Sequence, residues 1–252
     1  MDRTHLNLSR WHWLGARLKR LLAASLPNRC MMCHQRVVLP QRGICLTCLH
    51  AGLYSSPSCL GCGRLISVQT CYCGACMKSL PIKVVAPASY HDGLGEAVAA
   101  IKYQGQLAGL TPLVNALVQR IQALVEIEAI TLPQVLVPVP LHPKRLRERG
   151  FNQAYLIASE LGQALSLPVL PHALARICDT QPQAGLTGKQ RRRNLAGAFS
   201  LMEDFDYQRI ALIDDVVTTG TTVSEITKLF ERRYIQVQVW CLARAEAPHL
   251  ND

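Results

Sequence analysis

The sequence predicts an α/β fold with a mainly parallel sheet, preceded by a small cysteine-rich module. Three observations carry this. From about residue 83 to 246, apolar runs of strand length alternate with helix-spaced segments, the pattern of strands joined by crossover helices. Nine of the eleven cysteines fall between Cys30 and Cys76, which sets that stretch apart as its own unit. The third is the run Ile210 to Thr222, in which an apolar strand meets two adjacent acids and a loop of small and hydroxyl residues.

Taken in order, residues 1–29 form a basic extension. Its stretch from Arg10 to Leu22 is patterned as a short amphipathic helix. Arg10, Arg17, Lys19 and Arg20 interrupt it, leaving no apolar core of signal-peptide length. Residues 30–80 hold the cysteine module. Residues 83–88 read as a strand, 94–103 and 107–127 as helices, and 134–139 as a further apolar strand. Residues 151–165 are helical, with Leu156, Leu161 and Leu165 on one side. Strands return at 199–201, 210–213 and 237–242. Val223, Ile226, Leu229 and Phe230 give helical spacing after Gly220.

The cysteines come as knuckles. Cys30-x2-Cys33 is followed after eleven residues by Cys45-x2-Cys48, and Cys59-x2-Cys62 after ten by Cys73-x2-Cys76. Four thiolates from two such knuckles make a closed tetrahedral zinc shell with no position for a reacting water, so the module scaffolds rather than catalyses. Up to two structural zinc ions are expected, with the distribution of ligands between them left open by spacing. Cys71 is either a free thiol or an alternative ligand to Cys73. His34 and His50 read as solvent-facing. With few large apolar side chains in residues 49–72, the segment depends on metal to fold. Reduced thiols in this pattern point to the cytoplasm, and no stretch reaches the length of a transmembrane span.

The run from 210 to 222 carries the chemistry. Ile210 to Ile213 reads as a strand covered on both faces, placing Asp214 and Asp215 at its carboxyl end, where open α/β sheets bind ligands. The loop then enters a helix N-terminus, whose backbone N–H groups and the hydroxyls of Thr218, Thr219, Thr221 and Thr222 suit a phosphate. The two carboxylates suit a vicinal diol. Receiver domains also carry an acidic pair, but near the start of the domain and without the Thr-Thr-Gly loop.

Two further segments are basic. From Val137 to Gln153 a strand end leads into a guanidinium-rich loop carrying Lys144, Arg145, Arg147 and Arg149, a setting for pyrophosphate. Residues 180–194, ending in Gln190-Arg191-Arg192-Arg193-Asn194, have the character of a lid over phosphates. The formal net charge of +10 fits polyanionic partners as well as a phosphate site.

The order of these motifs resembles the ComF/GntX family over about residues 28–245: the Cys-x2-Cys knuckles, Pro-Val-Pro-Leu-His-Pro-Lys-Arg-Leu-Arg-Glu-Arg-Gly-Phe-Asn-Gln at 138–153, Thr-Gln-Pro-Gln-Ala-Gly-Leu-Thr at 180–187, Arg-Arg-Asn-Leu-Ala-Gly-Ala-Phe at 192–199, and the Asp-Asp loop. The resemblance implies a type I phosphoribosyltransferase fold and a role in natural competence, the uptake of single-stranded DNA. It also implies phosphoribosyl pyrophosphate (PRPP) with Mg²⁺ as ligand. The PRPP-binding set then comprises Asp214, Asp215, Val216, Val217, Thr218, Thr219, Gly220, Thr221, Thr222, Lys144, Arg145 and Arg149. Asp214 and Asp215, on the ribose hydroxyls, are the catalytic pair; Thr218 to Thr222 take the 5′-phosphate, and the Arg145 to Arg149 region the pyrophosphate. Single-stranded DNA and a membrane-associated DNA translocation protein are the partner candidates, the latter bringing the chain to the inner membrane periphery. The competing expectation is a phosphoribosyltransferase of nucleotide or small-molecule metabolism with no part in DNA uptake. No residue pattern marks the acceptor.

Overall fold

The computed structural model describes residues 28–91, 93–178, 195 and 197–245. The amphipathic segment 10–22 and the lid segment with Arg191, Arg192 and Arg193 lie outside the described residues.

The two cysteine repeats fold alike. Cys30 N–H donates to the Gln35 carbonyl and Cys59 N–H to that of Arg64, each at 2.9 Å; His34 and Gly63 N–H then donate back to the carbonyls of Cys30 and Cys59, again at 2.9 Å. Both turns need a left-handed residue, supplied by Gly63 (φ 85°) and by His34 (φ 59°), the latter at a steric cost that glycine avoids. Helix α1 (Leu46–Gly52) leaves the first repeat with Cys45 as its N-cap.

The main sheet has four strands in the order β1 (Val84–Val85), β6 (Gln236–Arg244), β5 (Arg209–Val217), β2 (Val135–Pro138). All pairings are parallel, as the alternating pattern predicts. Between them run α2 (Leu94–Gln104), α3 (Leu110–Glu126), α4 (Pro143–Arg149), α5 (Gln153–Leu165) and α6 (Thr221–Glu231). Alternate residues of β5 enter opposite cores. Ala211 and Ile213 pack with Leu113, Ile157 and Trp240, whereas Ile210 and Leu212 pack with Ile226 and Phe230. A sheet covered on both faces explains the uninterrupted apolar run.

The structure corrects four sequence expectations. The strand expected at 83–88 is confined to Val84–Val85. Residues 138–153 are not simply a loop. Pro143–Arg149 is a helix, with His142 Nδ1 accepting from Lys144 N–H, proline in the first turn, and Gly150 closing it at φ 80°, all ordinary start and stop signals. The strand at 199–201 does not join the main sheet. As β4 (Phe199–Leu201) it pairs antiparallel with β3 (Leu174–Arg176), a three-residue strand too short to read from periodicity. Strand β5 also outruns its apolar core. Asp214↔Cys241, Val216↔Ala243 and Val217↔Arg244 continue the ladder, so the acidic pair lies within the strand.

Candidate functional site

The site exists because β5 is longer than its neighbour. Pairing with β2 stops at Pro138↔Ile213. One more bond follows, Val139 N–H to the Ile213 carbonyl at 2.9 Å, and then Pro140 has no N–H to give. From Asp214 onward, β5 is held by β6 on one side and faces a cleft of about 400 Å³ on the other. Gly220 turns the chain into α6 at φ 68°. A side chain there would meet no heavy atom within 4 Å, so it is the left-handed backbone rather than space that calls for glycine.

Asp214, Asp215, Val216, Val217, Thr218, Thr219, Gly220, Thr221 and Thr222 all line this cleft, together with Arg145 and Arg149. The helical form of α4 explains which of its cations reach it. Arg145 and Arg149 are four residues apart and half-buried on one face, while Lys144 and Arg147 are exposed and outside the lining. The N-cap of α6, Gly220, brings no side-chain cap, and the helix dipole and first-turn N–H groups favour an anion. Thr219 and Thr221 hydroxyls sit 2.8 Å apart at its mouth.

The carboxylates differ in their surroundings. Asp214 Oδ1 accepts from Asp215 N–H, and Asp215 Oδ1 from Val216 N–H, both at 2.8 Å. Burial, reinforced by the neighbouring Asp215 charge, pushes the Asp214 carboxyl up to about 7. Lys102 of α2 lies 2.8 Å from Asp215 Oδ2 and 3.0 Å from Oδ1. Its burial works against the ammonium, but Asp215 and then Asp214 more than offset this and hold it above the usual lysine value.

Sequence reasoning missed Lys102, Tyr103, Asn152, Gln153 and Arg176, which also line the cleft. Lys102 was detectable. It lies four and eight residues beyond Val98 and Leu94, both fully buried, so it is a cation on the inward stripe of its helix. Arg176 comes from the unread strand β3 and stands 5.6 Å from the Phe199 ring; no local pattern announces it.

The cysteines sort into two sets, Cys30, Cys33, Cys45, Cys48 and Cys59, Cys62, Cys73, Cys76, with all sulfurs of a set within 4.8 Å of one another. Cys33 and Cys45 Sγ are 3.8 Å apart, Cys62 and Cys73 Sγ 3.7 Å. A tetrahedral ion with bonds of about 2.3 Å separates its sulfurs by about 3.8 Å, so either set could hold a structural zinc ion. The thiols are mismatched without a cation. Burial would raise Cys30, yet N–H groups of Cys33, Cys45 and Met32 bring it down to about 6; burial and then the neighbouring thiols push Cys48 up to about 12. In the second set, backbone bonding led by Cys76 lowers Cys73 to about 7, while burial raises Cys62 and Cys76. Cys71 is outside both sets and donates to the Ala129 carbonyl at 3.1 Å. His34 and His50 are outside them too.

A parallel sheet ending in an acidic pair and a Thr-Thr-Gly loop, joined to paired four-cysteine ribbons, defines the class: a phosphoribosyltransferase-type α/β fold with an N-terminal zinc-ribbon module. Relatives narrow it. The chain is 35% identical over 223 residues to competence protein F of Haemophilus influenzae, covering 86% of this chain and 97% of that protein. It is 31% identical over 223 residues to the DNA utilization protein YhgH of Escherichia coli K12, covering 87% and 98%. A shorter match, 28% over 135 residues, joins it to competence protein ComFC of Bacillus subtilis, with 54% of this chain and 52% of that protein covered. The chain belongs to the ComF family. No protein-family model matches it. Among the described residues, no helix is long and apolar enough to cross a membrane.

Proposed function

We propose that this protein binds PRPP, accompanied by Mg²⁺ on the pyrophosphate, in the cleft at Asp214–Thr222, and that it acts in natural competence, in the handling of incoming single-stranded DNA. One observation carries the ligand reading. Two carboxylates, a helix N-terminus ringed by threonine hydroxyls, and the Arg145–Arg149 pair converge on a single cleft, matching in kind the diol, the 5′-phosphate and the pyrophosphate of one molecule. Cations at the departing pyrophosphate are also what charge stabilisation of phosphoribosyl transfer requires. The biological half is supported by relatives named for competence and DNA utilization.

Calorimetric titration with Mg²⁺–PRPP tests the site; no heat of binding rejects it. Screening purified protein for pyrophosphate release against nucleobases, amines and single-stranded DNA then decides about turnover. Release with a small-molecule acceptor, combined with normal transformation in a deletion strain, would replace the competence reading by a metabolic phosphoribosyltransferase.

A further inference from the structure

We propose that Lys102 is a positioning residue of the cleft: its ammonium holds Asp215 by both carboxylate oxygens and thereby leaves Asp214 as the carboxylate that meets the ligand. The ligand half of this rests on the PRPP reading above; the clamp itself does not.

Hydrogen-bond arithmetic separates the two acids. An ionised carboxylate offers about four acceptor positions. Asp215 has three contacts already, two from Lys102 Nζ at 2.8 and 3.0 Å and one from Val216 N–H at 2.8 Å. Asp214 accepts Asp215 N–H at 2.8 Å, which leaves it the greater capacity for an incoming hydroxyl.

Lys102 is itself held. Gln153, 2% exposed at the start of α5, donates from Nε2 to the Lys102 carbonyl at 3.0 Å. The last turn of α2 is therefore pinned to the helix that follows the arginine-bearing α4. The route from Gln153 through the Lys102 backbone and ammonium to Asp215 sets the strand end from outside the sheet.

Charge gives the clamp its purpose. The groups acting on Asp214 are Asp215 on its own strand, Lys102 from α2 and Cys241 from β6. Arg145 and Arg149 of α4, Arg176 of β3 and Tyr103 of α2 line the same cleft. Burial pushes the Cys241 thiol up to about 12, so it brings no charge at neutral pH. Adjacent carboxylates sharing one cleft resist joint ionisation. Lys102 is in direct contact with Asp215 and acts on Asp214 through its charge, so the second ionisation depends on it.

The test uses full-length protein carrying Lys102→Met or Lys102→Arg. The ¹³C carboxyl resonance of Asp214, titrated without ligand, should have its midpoint near 7 in the wild type. It should move up by about one unit or more in the Met variant, and return in the Arg variant, which restores the charge. Mg²⁺–PRPP titrations across pH should show the affinity profile of the Met variant displaced by the same interval, with about tenfold weaker binding per unit on its acid limb. A purely structural lysine would weaken binding evenly and leave the midpoint in place, which would overturn the proposal; so would an Arg variant that behaves like Met. Should the Met variant lose its folded spectrum, Lys102→Gln, which keeps a donor without the charge, takes its place with the same expectations. A wild type that binds no PRPP, with the midpoint still moving up in the Met variant, would reject the ligand reading and keep the clamp.

Discussion

Replacing Cys59 by Ser is expected to remove one of the two zinc ions allowed by the two four-cysteine sets, and to weaken PRPP binding at a distance. A structural zinc contributes about 10–16 kcal/mol that is also folding free energy, against a total stability of about 5–15 kcal/mol for a typical domain. The second ribbon therefore unfolds when its ion leaves. With it go the Leu60 and Gly61 carbonyls, which accept from the Arg244 guanidinium. Arg244 is only 9% exposed, and its two charge-assisted bonds contribute about 3–6 kcal/mol together at about 1.5–3 each. Arg244 is also the ladder partner of Val217, at the threshold of the Thr218–Thr222 loop. If a quarter of that energy is lost from the loop's support, affinity falls about four- to tenfold, one factor of ten per 1.4 kcal/mol. Elemental analysis should show zinc per chain dropping by one, calorimetry should show the weaker PRPP binding, and Arg244→Met should weaken PRPP while keeping both ions. A wild type without zinc and with its thiols in disulfides would refute the metal reading. Unchanged PRPP affinity in both variants would refute the coupling.

Other outcomes follow from the same geometry. Asp214→Asn with Asp215→Asn keeps the shape of the strand but removes charge-assisted bonds of about 1.5–3 kcal/mol each, so calorimetry should show PRPP affinity lowered at least tenfold; unchanged affinity would make the acids a structural feature only. The Asp214 carboxyl, raised to about 7 when folded from about 3.9 when unfolded, binds more protons in the folded state across that window. Its contribution to stability therefore falls as pH rises from about 4 to 7, while PRPP affinity, which needs the ionised form, rises over the lower pH range and levels above 7. Denaturant midpoints and calorimetry at matched pH values should move in these opposite directions. Single-stranded DNA binding, read by mobility shift, should be electrostatic: about four phosphate contacts give a log–log salt slope of roughly −3, and neutralising Arg191, Arg192 and Arg193 should flatten it. No shift at low salt would assign the basic segments to PRPP or to a protein partner.

What local sequence could reveal follows physical range. The central strand was legible because a sheet covered on both faces forces an apolar run, and the acids stand out against it. Its true end at Val217 was not, because that depends on Cys241, Ala243 and Arg244 continuing the ladder from another strand. Strand β1 is shorter than its apolar stretch. The density of cations between Lys144 and Arg149 drew the reading toward a loop, although His142, Pro143 and Gly150 spelled a helix. Lys102 lies on the same helix stripe as the buried Leu94 and Val98, which is a local signal, but the carboxylate it meets is 113 residues away. Arg244 bonding to Leu60, 184 residues away, has no local signature.

These long-range links explain why a four-thiolate module sits beside a cleft it does not enter. Strand β1 has two residues and lies at the sheet edge, where unpaired backbone groups invite foreign strands. The ribbon covers that edge: the Leu60 carbonyl accepts from Val84 N–H at 2.8 Å, and Tyr54 N–H reaches the Pro87 carbonyl at 3.0 Å. Cys30, Ile44, Leu49 and Leu60 join the same buried cluster as Leu113, Leu136 and Trp240, so each four-cysteine repeat extends the core under β6. A closed shell of four sulfurs offers no open position for a substrate oxygen. A zinc ion held by the second set would therefore act through geometry, by fixing where Arg244 stands against Leu60 and Gly61 and hence where β5 releases its chain into the threonine loop.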